Sequence, residues 1–67
     1  MNYVYVLLNH EDYEWEDIVI FDSEEEAIKA SIKYPKMRVE IFSKKDNFGF
    51  TPTYNYYKQG ELIINNQ

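Results

Sequence analysis

Apolar and polar residues alternate unevenly along this chain, and the stretches where alternation fails carry most of the information. Residues 3–9, YVYVLLN, hold two apolar rows, Tyr3, Tyr5, Leu7 and Val4, Val6, Leu8. So short a run of β-branched, aromatic and aliphatic residues predicts a strand. A strand with one wet face shows polar residues at every second position, so this one is expected to be covered on both sides. A second strand is expected over 14–21, EWEDIVIF, with Glu16, Ile18 and Ile20 on one face and Trp15, Asp17, Val19 and Phe21 on the other. Its start is polar and its end apolar, so it leaves water as it proceeds.

The period then changes. In DSEEEAIKASIKYP, residues 22–35, Ser23 and Glu26 have the spacing of a capping box, and Glu24, Glu25 and Glu26 complement the positive end of a helix dipole. Glu25 and Lys29 form a favourable i,i+4 pair, and Pro35 ends the helix near Lys33 because a residue before proline avoids the α region. The stripe Ala27, Ile28, Ser31, Ile32 is narrow and built largely of small side chains, which lets the helix lie close to a sheet.

Three further strands follow. MRVEIFS, 37–43, alternates Met37, Val39, Ile41 with Arg38 and Glu40, and Phe42 ends the polar face. KKDNFG, 44–49, predicts a turn with Asn47 and Gly49 available for positive φ. FTPTYNYY, 50–57, alternates Phe50, Tyr54, Tyr56 with Thr51, Thr53, Asn55, Tyr57, and Pro52, which cannot donate to a ladder, belongs at an edge. Gln59–Gly60 predicts a tight hairpin turn that sets Lys58 against Glu61 as a cross-strand ion pair, and ELII completes a short last strand. The expected order is β-β-α-β-β-β: a two-layer α+β domain over residues 1–64, one helix packed on a mainly antiparallel sheet of four to five strands, with a frayed tail at 65–67. Strand order, and the face that the helix covers, are not legible at this level.

Size turns this architecture into a functional expectation. A chain of 8.1 kDa buries only about 60% of its unfolded surface. Small cores are commonly supplemented by disulfides, metals or oligomerisation. There is no cysteine, and His10 is the single histidine, so thiolate or histidine-rich metal sites are excluded within one chain and no cofactor is expected. One short helix shelters one sheet face. Seven tyrosines, four phenylalanines and one tryptophan exceed what so small a core can take in. An aromatic sheet face is therefore expected to form an interface, with Tyr3, Tyr5, Leu7, Trp15, Phe42, Tyr54, Tyr56 and Tyr57 as candidates and a two-fold homodimer as the form. If the helix instead covers the tyrosine row of the first strand, the aliphatic row is the one left open.

Charge is distributed asymmetrically. Residues 1–26 hold nine acidic and no basic side chains, and residues 27–67 hold seven basic and three acidic. The densest run is HEDYEWED, 10–17, with five carboxylates. Its spacing lacks the central glycine of a calcium loop, and neighbouring carboxylates on a strand point apart, so it reads as the wet end of a hairpin. Glu11, Asp12, Glu14, Glu16 and Asp17 are candidates for docking on a basic protein surface, in the manner of an inhibitor that imitates a nucleic-acid backbone. Lys33, Lys36, Arg38, Lys44 and Lys45, with aromatics at Tyr34, Phe48 and Phe50, are the basic-patch candidates for holding a single strand. The acidic first third opposes that reading, so nucleic acid is disfavoured as a partner. No phosphate-cradling glycine loop and no oriented acid–base group is present, so an enzyme is not expected. The chain has no run long enough to span a membrane and opens without a basic leader, which makes a cytoplasmic location the expectation.

The run YVYVLLNHEDYE, followed by IVIFDSEEEAIKA, resembles small uncharacterised domains of phages, large DNA viruses and bacteria. In those domains a hairpin opens the chain and a phrase F-x-S-x-E-E-A starts the one long helix, and Phe21, Ser23, Glu25, Glu26 and Ala27 match it. The resemblance covers about the first half. It implies the hairpin–helix arrangement and a viral or phage source, hence a virion component or a host-directed factor, and carries no functional residue. The composite expectation is a non-enzymatic accessory protein that self-associates through an aromatic sheet face.

Overall fold

In the computed structural model, which describes residues 2–8 and 18–65, Ser23 stands at the head of α1 (Glu24–Lys33). Its Oγ accepts from the Glu26 amide at 3.4 Å, the forward half of the expected box. The Tyr34 amide still donates to Ala30 O, and Pro35 follows directly. Around α1 run β1 (Tyr3–Leu8), β2 (Val19–Phe21), β3 (Arg38–Lys45), β4 (Gly49–Lys58) and β5 (Glu61–Ile63), so the chain is a small α+β domain with the order β-β-α-β-β-β. All pairings are antiparallel and the strands lie in the order β2-β1-β3-β4-β5. The all-apolar strand β1 is thus interior to the sheet.

The second strand is shorter than expected. Ile18 lies outside it, and the expected portion over 14–17 falls outside the described residues. β3 runs on through Lys45, and the turn that follows takes its positive φ at Asp46 and Gly49 rather than at Asn47. A short side chain that tolerates the left-handed region is what either position requires.

Helix and sheet meet through small residues. Ala27 and Ser31 are fully buried and Ala30 nearly so; beneath them lie Tyr5 and Leu7 of β1, Val39 and Ile41 of β3, and Tyr57 of β4. Leu7, Val39 and Tyr57 form one register row across three strands. Ala30 takes the place expected for Ile32, which is 60% exposed. The buried arc 27, 30, 31 follows the 100° step of a helix, and a backbone this close to the sheet has room for methyl and hydroxymethyl groups but not for a second isoleucine.

The β4–β5 hairpin grips the helix at both ends. Near its start, the Tyr57 hydroxyl donates to Glu24 Oε2 at 2.6 Å. In its last turns, Ser31 Oγ donates to Ile28 O at 2.7 Å and accepts from the Gly60 amide at 2.9 Å. Gln59 and Gly60 both have positive φ (53° and 82°), as a two-residue hairpin turn twisted to match its strands demands. A Cβ at Gly60 would also come within 3.0 Å of Ile32 Cγ1. Lys58 and Glu61 face one another as expected, but the Lys58 ammonium donates to Pro35 O at 3.2 Å and not to the glutamate. A backbone acceptor fixed by a proline turn holds the lysine better than a mobile exposed carboxylate does.

β4 carries the main irregularity. Glu40 pairs with Tyr56 and Phe42 with Pro52, so Thr53, Tyr54 and Asn55 together oppose Ile41. Two extra residues leave the alternation of faces intact beyond the bulge. Thr53 Oγ1 repairs the interrupted ladder, donating to Ile41 O at 2.8 Å and accepting from the Asn55 amide at 3.2 Å. Tyr54 sits at φ 68° and projects outward. Pro52 lies in the half of β4 beyond β5, an edge as its missing donor requires.

Two predictions follow from these contacts. Ser31→Ala leaves the part-buried Gly60 amide without its acceptor and should cost about 0.5–1.5 kcal/mol in urea denaturation. Gly60→Ala should cost at least about 1–2 kcal/mol, because alanine must hold the left-handed conformation beside Ile32. A third prediction concerns alkali. Burial first, then the hydrogen bond to Glu24 and the charge of Glu24, push the Tyr57 phenol from 10.0 up to about 12. The folded-state value is the higher one, so this contribution to stability is complete below pH 10 and fades as pH rises through 12. Phenolate absorbance should show a late ionisation that Tyr57→Phe removes, and an all-at-once titration near pH 10 in the folded protein would contradict it.

Candidate functional site

Strand alternation that sends Tyr5, Leu7, Val39 and Tyr57 under the helix sends their neighbours to the opposite face. There, one register row crosses all five strands: Ile20, Val6, Glu40, Tyr56 and Ile63. Val4, Phe42 and Pro52 flank it on one side, with Lys44 and Phe50 beyond them, and Leu8, Arg38, Lys58 and Glu61 flank it on the other. No helix or strand among the described residues lies over this face. Ile20 is 64% exposed at one edge, and the valines and Phe42 towards the middle are part-buried by their neighbours.

A charged pair sits inside this apolar field. Glu40 is only 9% exposed, although it stands on a face that a single covering helix leaves open. Its Oε2 meets Arg38 Nε, and the Arg38 guanidinium lies over the Tyr56 ring, 4.7 Å from its centroid. The Arg38 Nε and Glu40 Oε2 atoms are shut off from solvent and lack hydrogen-bond alignment even with each other. They are an ion pair by proximity, with hydrogen-bonding capacity left over. The cation–π contact with Tyr56 keeps the guanidinium close to the sheet.

The expected site residues are distributed as follows. Phe42 and Tyr56 belong to the uncovered face. Tyr5, Leu7 and Tyr57 do not: they are core residues under α1, because the helix covers the tyrosine row of β1 and leaves the aliphatic row open. Tyr3 shares their side of the sheet but stands at its rim, 49% exposed, and Tyr54 projects from the bulge. Trp15 and the acidic candidates Glu11, Asp12, Glu14, Glu16 and Asp17 lie outside the described residues.

The basic candidates are not gathered into one patch. Lys33 packs over the neighbouring Tyr34 ring at the helix end, Lys36 lies in the turn before β3, and Lys44 and Lys45 are at the far end of that strand, about 23 Å from its start. Arg38 is engaged by Glu40.

Glu40 itself was missed as a site residue. Its signal was a carboxylate between Val39 and Ile41 in a strand otherwise rich in apolar residues, but only the register puts it beside Val6 and Tyr56.

Among the described residues no group of three or more histidine, cysteine, aspartate or glutamate side chains is placed to hold a metal, and no helix is long and apolar enough to cross a membrane. The chain matches no family model, no curated protein and no solved structure.

Removing one half of the ion pair should hurt more than removing both. Arg38→Met strands the Glu40 carboxylate and should cost about 1–3 kcal/mol, less than a fully buried pair because the arginine is a third exposed. Arg38→Met with Glu40→Leu should recover most of that loss in urea denaturation. A double variant as unstable as the single would mean that the pair is not what holds Glu40 in place.

Proposed function

We propose that this is a non-catalytic interaction protein that works as a homodimer joined through the sheet face opposite α1. The observation that carries the reading is the five-strand row Ile20–Val6–Glu40–Tyr56–Ile63, uncovered by any described element and flanked by Val4, Phe42 and Pro52. Extended apolar faces of this kind are rare on monomers.

Two features favour a second copy of this chain as the occupant. Among the described residues the face carries both signs of charge, Arg38, Lys44 and Lys58 with Glu40 and Glu61, so a two-fold axis through it can bring cations of one copy towards anions of the other; a uniformly acidic or basic partner would leave like charges facing it. Its extent also suits a modest dimer: five strands by three side-chain rows give about 400–500 Å² in plan, and more once pleating is counted. Specific interfaces begin near about 600 Å² per partner. Micromolar dissociation follows, with the aromatic and aliphatic groups giving affinity and the charges giving register.

Sedimentation velocity between about 1 and about 200 µM should show a reversible shift from 8.1 kDa to twice that mass. Ile20→Lys, at an exposed edge position, should weaken the dimer at least about tenfold while leaving circular dichroism unchanged. Tyr3→Lys, on the other side of the sheet, should leave it intact. A folded protein that stays at 8.1 kDa throughout would refute the reading, as would a dimer indifferent to Ile20.

A further inference from the structure

On the helix side of the sheet, beyond the N-terminal end of α1, the two layers part and leave a cavity of about 320 Å³. Tyr3, Tyr5, Tyr57, Glu24, Leu62 and Ile64 supply most of its chemistry. The β4 bulge shapes its floor, where Thr53 and Asn55 line it beside Ile41. Bulges recur next to binding sites because they re-aim side chains without breaking a sheet.

We propose that this cavity binds a small organic cation, an alkylammonium head group. Among the described residues its lining holds one carboxylate and no basic side chain. The Tyr5 and Tyr57 rings lie 6.3 Å apart between centroids and are inclined at 47°, so an ammonium lodged at the opening of that wedge lies within cation–π range, about 6 Å, of both. Both phenols stay protonated near neutral pH. Burial and then Glu24 raise that of Tyr57, and burial, the charge of Glu24 and Tyr3 raise that of Tyr5. The rings therefore present neutral π-systems, and the Tyr57 hydroxyl ties the Glu24 carboxylate in place at 2.6 Å. Leu62 and Ile64 offer contact to N-methyl groups.

Competing ligand classes fit less well. A hard metal ion wants six or more oxygen ligands, and this lining has a single carboxylate. An anion meets Glu24 and, close by, Asp22, Glu25 and Glu26. The half-positive charge of the helix N-terminus works against a cation, but four carboxylates in and before the first turn outweigh it. A neutral polar ligand would leave the Glu24 carboxylate without a counter-charge. The Thr53 hydroxyl is engaged by Ile41 O and the Asn55 amide, and Asn55 Oδ1 accepts from the Asn65 amide at 3.1 Å.

The test is a chemical-shift titration of the full chain with tetramethylammonium chloride, against sodium chloride at equal ionic strength. Saturable shifts should appear at Tyr3, Tyr5, Glu24 and Tyr57. Choline should bind at least about tenfold more tightly than 3,3-dimethylbutan-1-ol, its neutral isostere, because charge and not shape is recognised. Glu24→Gln, at an exposed helix position, should weaken binding about tenfold with circular dichroism unchanged, and Tyr3→Leu should weaken it several-fold. Comparison of choline with N-acetyl-trimethyllysine amide then shows whether the head group is carried by a small molecule or by a peptide. Absence of saturable shifts, equal binding of the neutral isostere, or indifference to Glu24→Gln would each overturn the proposal. The cavity and the proposed dimer face lie on opposite sides of the sheet, so either can fail without the other.

Discussion

The close seating of Ala27, Ala30 and Ser31 on Leu7, Val39 and Tyr57 is the contact on which the rest of this molecule depends. Small side chains bring the helix backbone down to the sheet, and a helix of ten residues placed there occupies one side of a five-strand sheet and no more. Everything exposed on the other side is exposed because of where this contact was made. A helix seated on Val4, Val6 and Leu8 would have hidden the aliphatic row and set Tyr5 and Tyr57 outward.

Because the helix is short, it also fails to cover its own side completely. The β4–β5 hairpin closes part of the gap, reaching up to Glu24 through Tyr57 and to Ser31 through the Gly60 amide. What remains open beyond the Tyr57–Glu24 anchor is the tyrosine-lined cavity. Tyr57 illustrates the economy of so small a chain: one side chain fills the core, fastens the helix start and lines a cavity. Such overlap makes function and stability hard to separate at Tyr57, whereas Glu24 and Tyr3, at the exposed rim, bear on the cavity with less consequence for the core.

The two faces use different physics. The uncovered face is broad, apolar at its centre and of mixed charge around it, which suits a partner of similar character better than one of a single sign. The cavity is small, with one net negative charge among neutral rings, which suits a small cation. Glu40 shows how the sheet tolerates a carboxylate among apolar groups: Arg38 neutralises it, and Tyr56 keeps Arg38 close to the sheet.

The order of elements was legible in the chain because each element announces itself locally. The Ser23 cap and Pro35 bracket α1, Gln59–Gly60 forces the last hairpin, and Pro52 marks an unpaired stretch of edge. These are short-range steric and hydrogen-bonding demands that a few neighbouring residues settle among themselves. The apolar character of β1 on both rows was equally plain, and with it the conclusion that one helix cannot shelter both. Which row the helix takes, that Ala30 and not Ile32 meets the sheet, that Thr53 to Asn55 bulge against Ile41, and that Glu40 and Arg38 come to rest between Val6 and Tyr56 were decided only when strands distant in sequence paired. Register is a long-range property: two equally apolar rows look the same from within the strand, and only the side chains that arrive from elsewhere tell them apart.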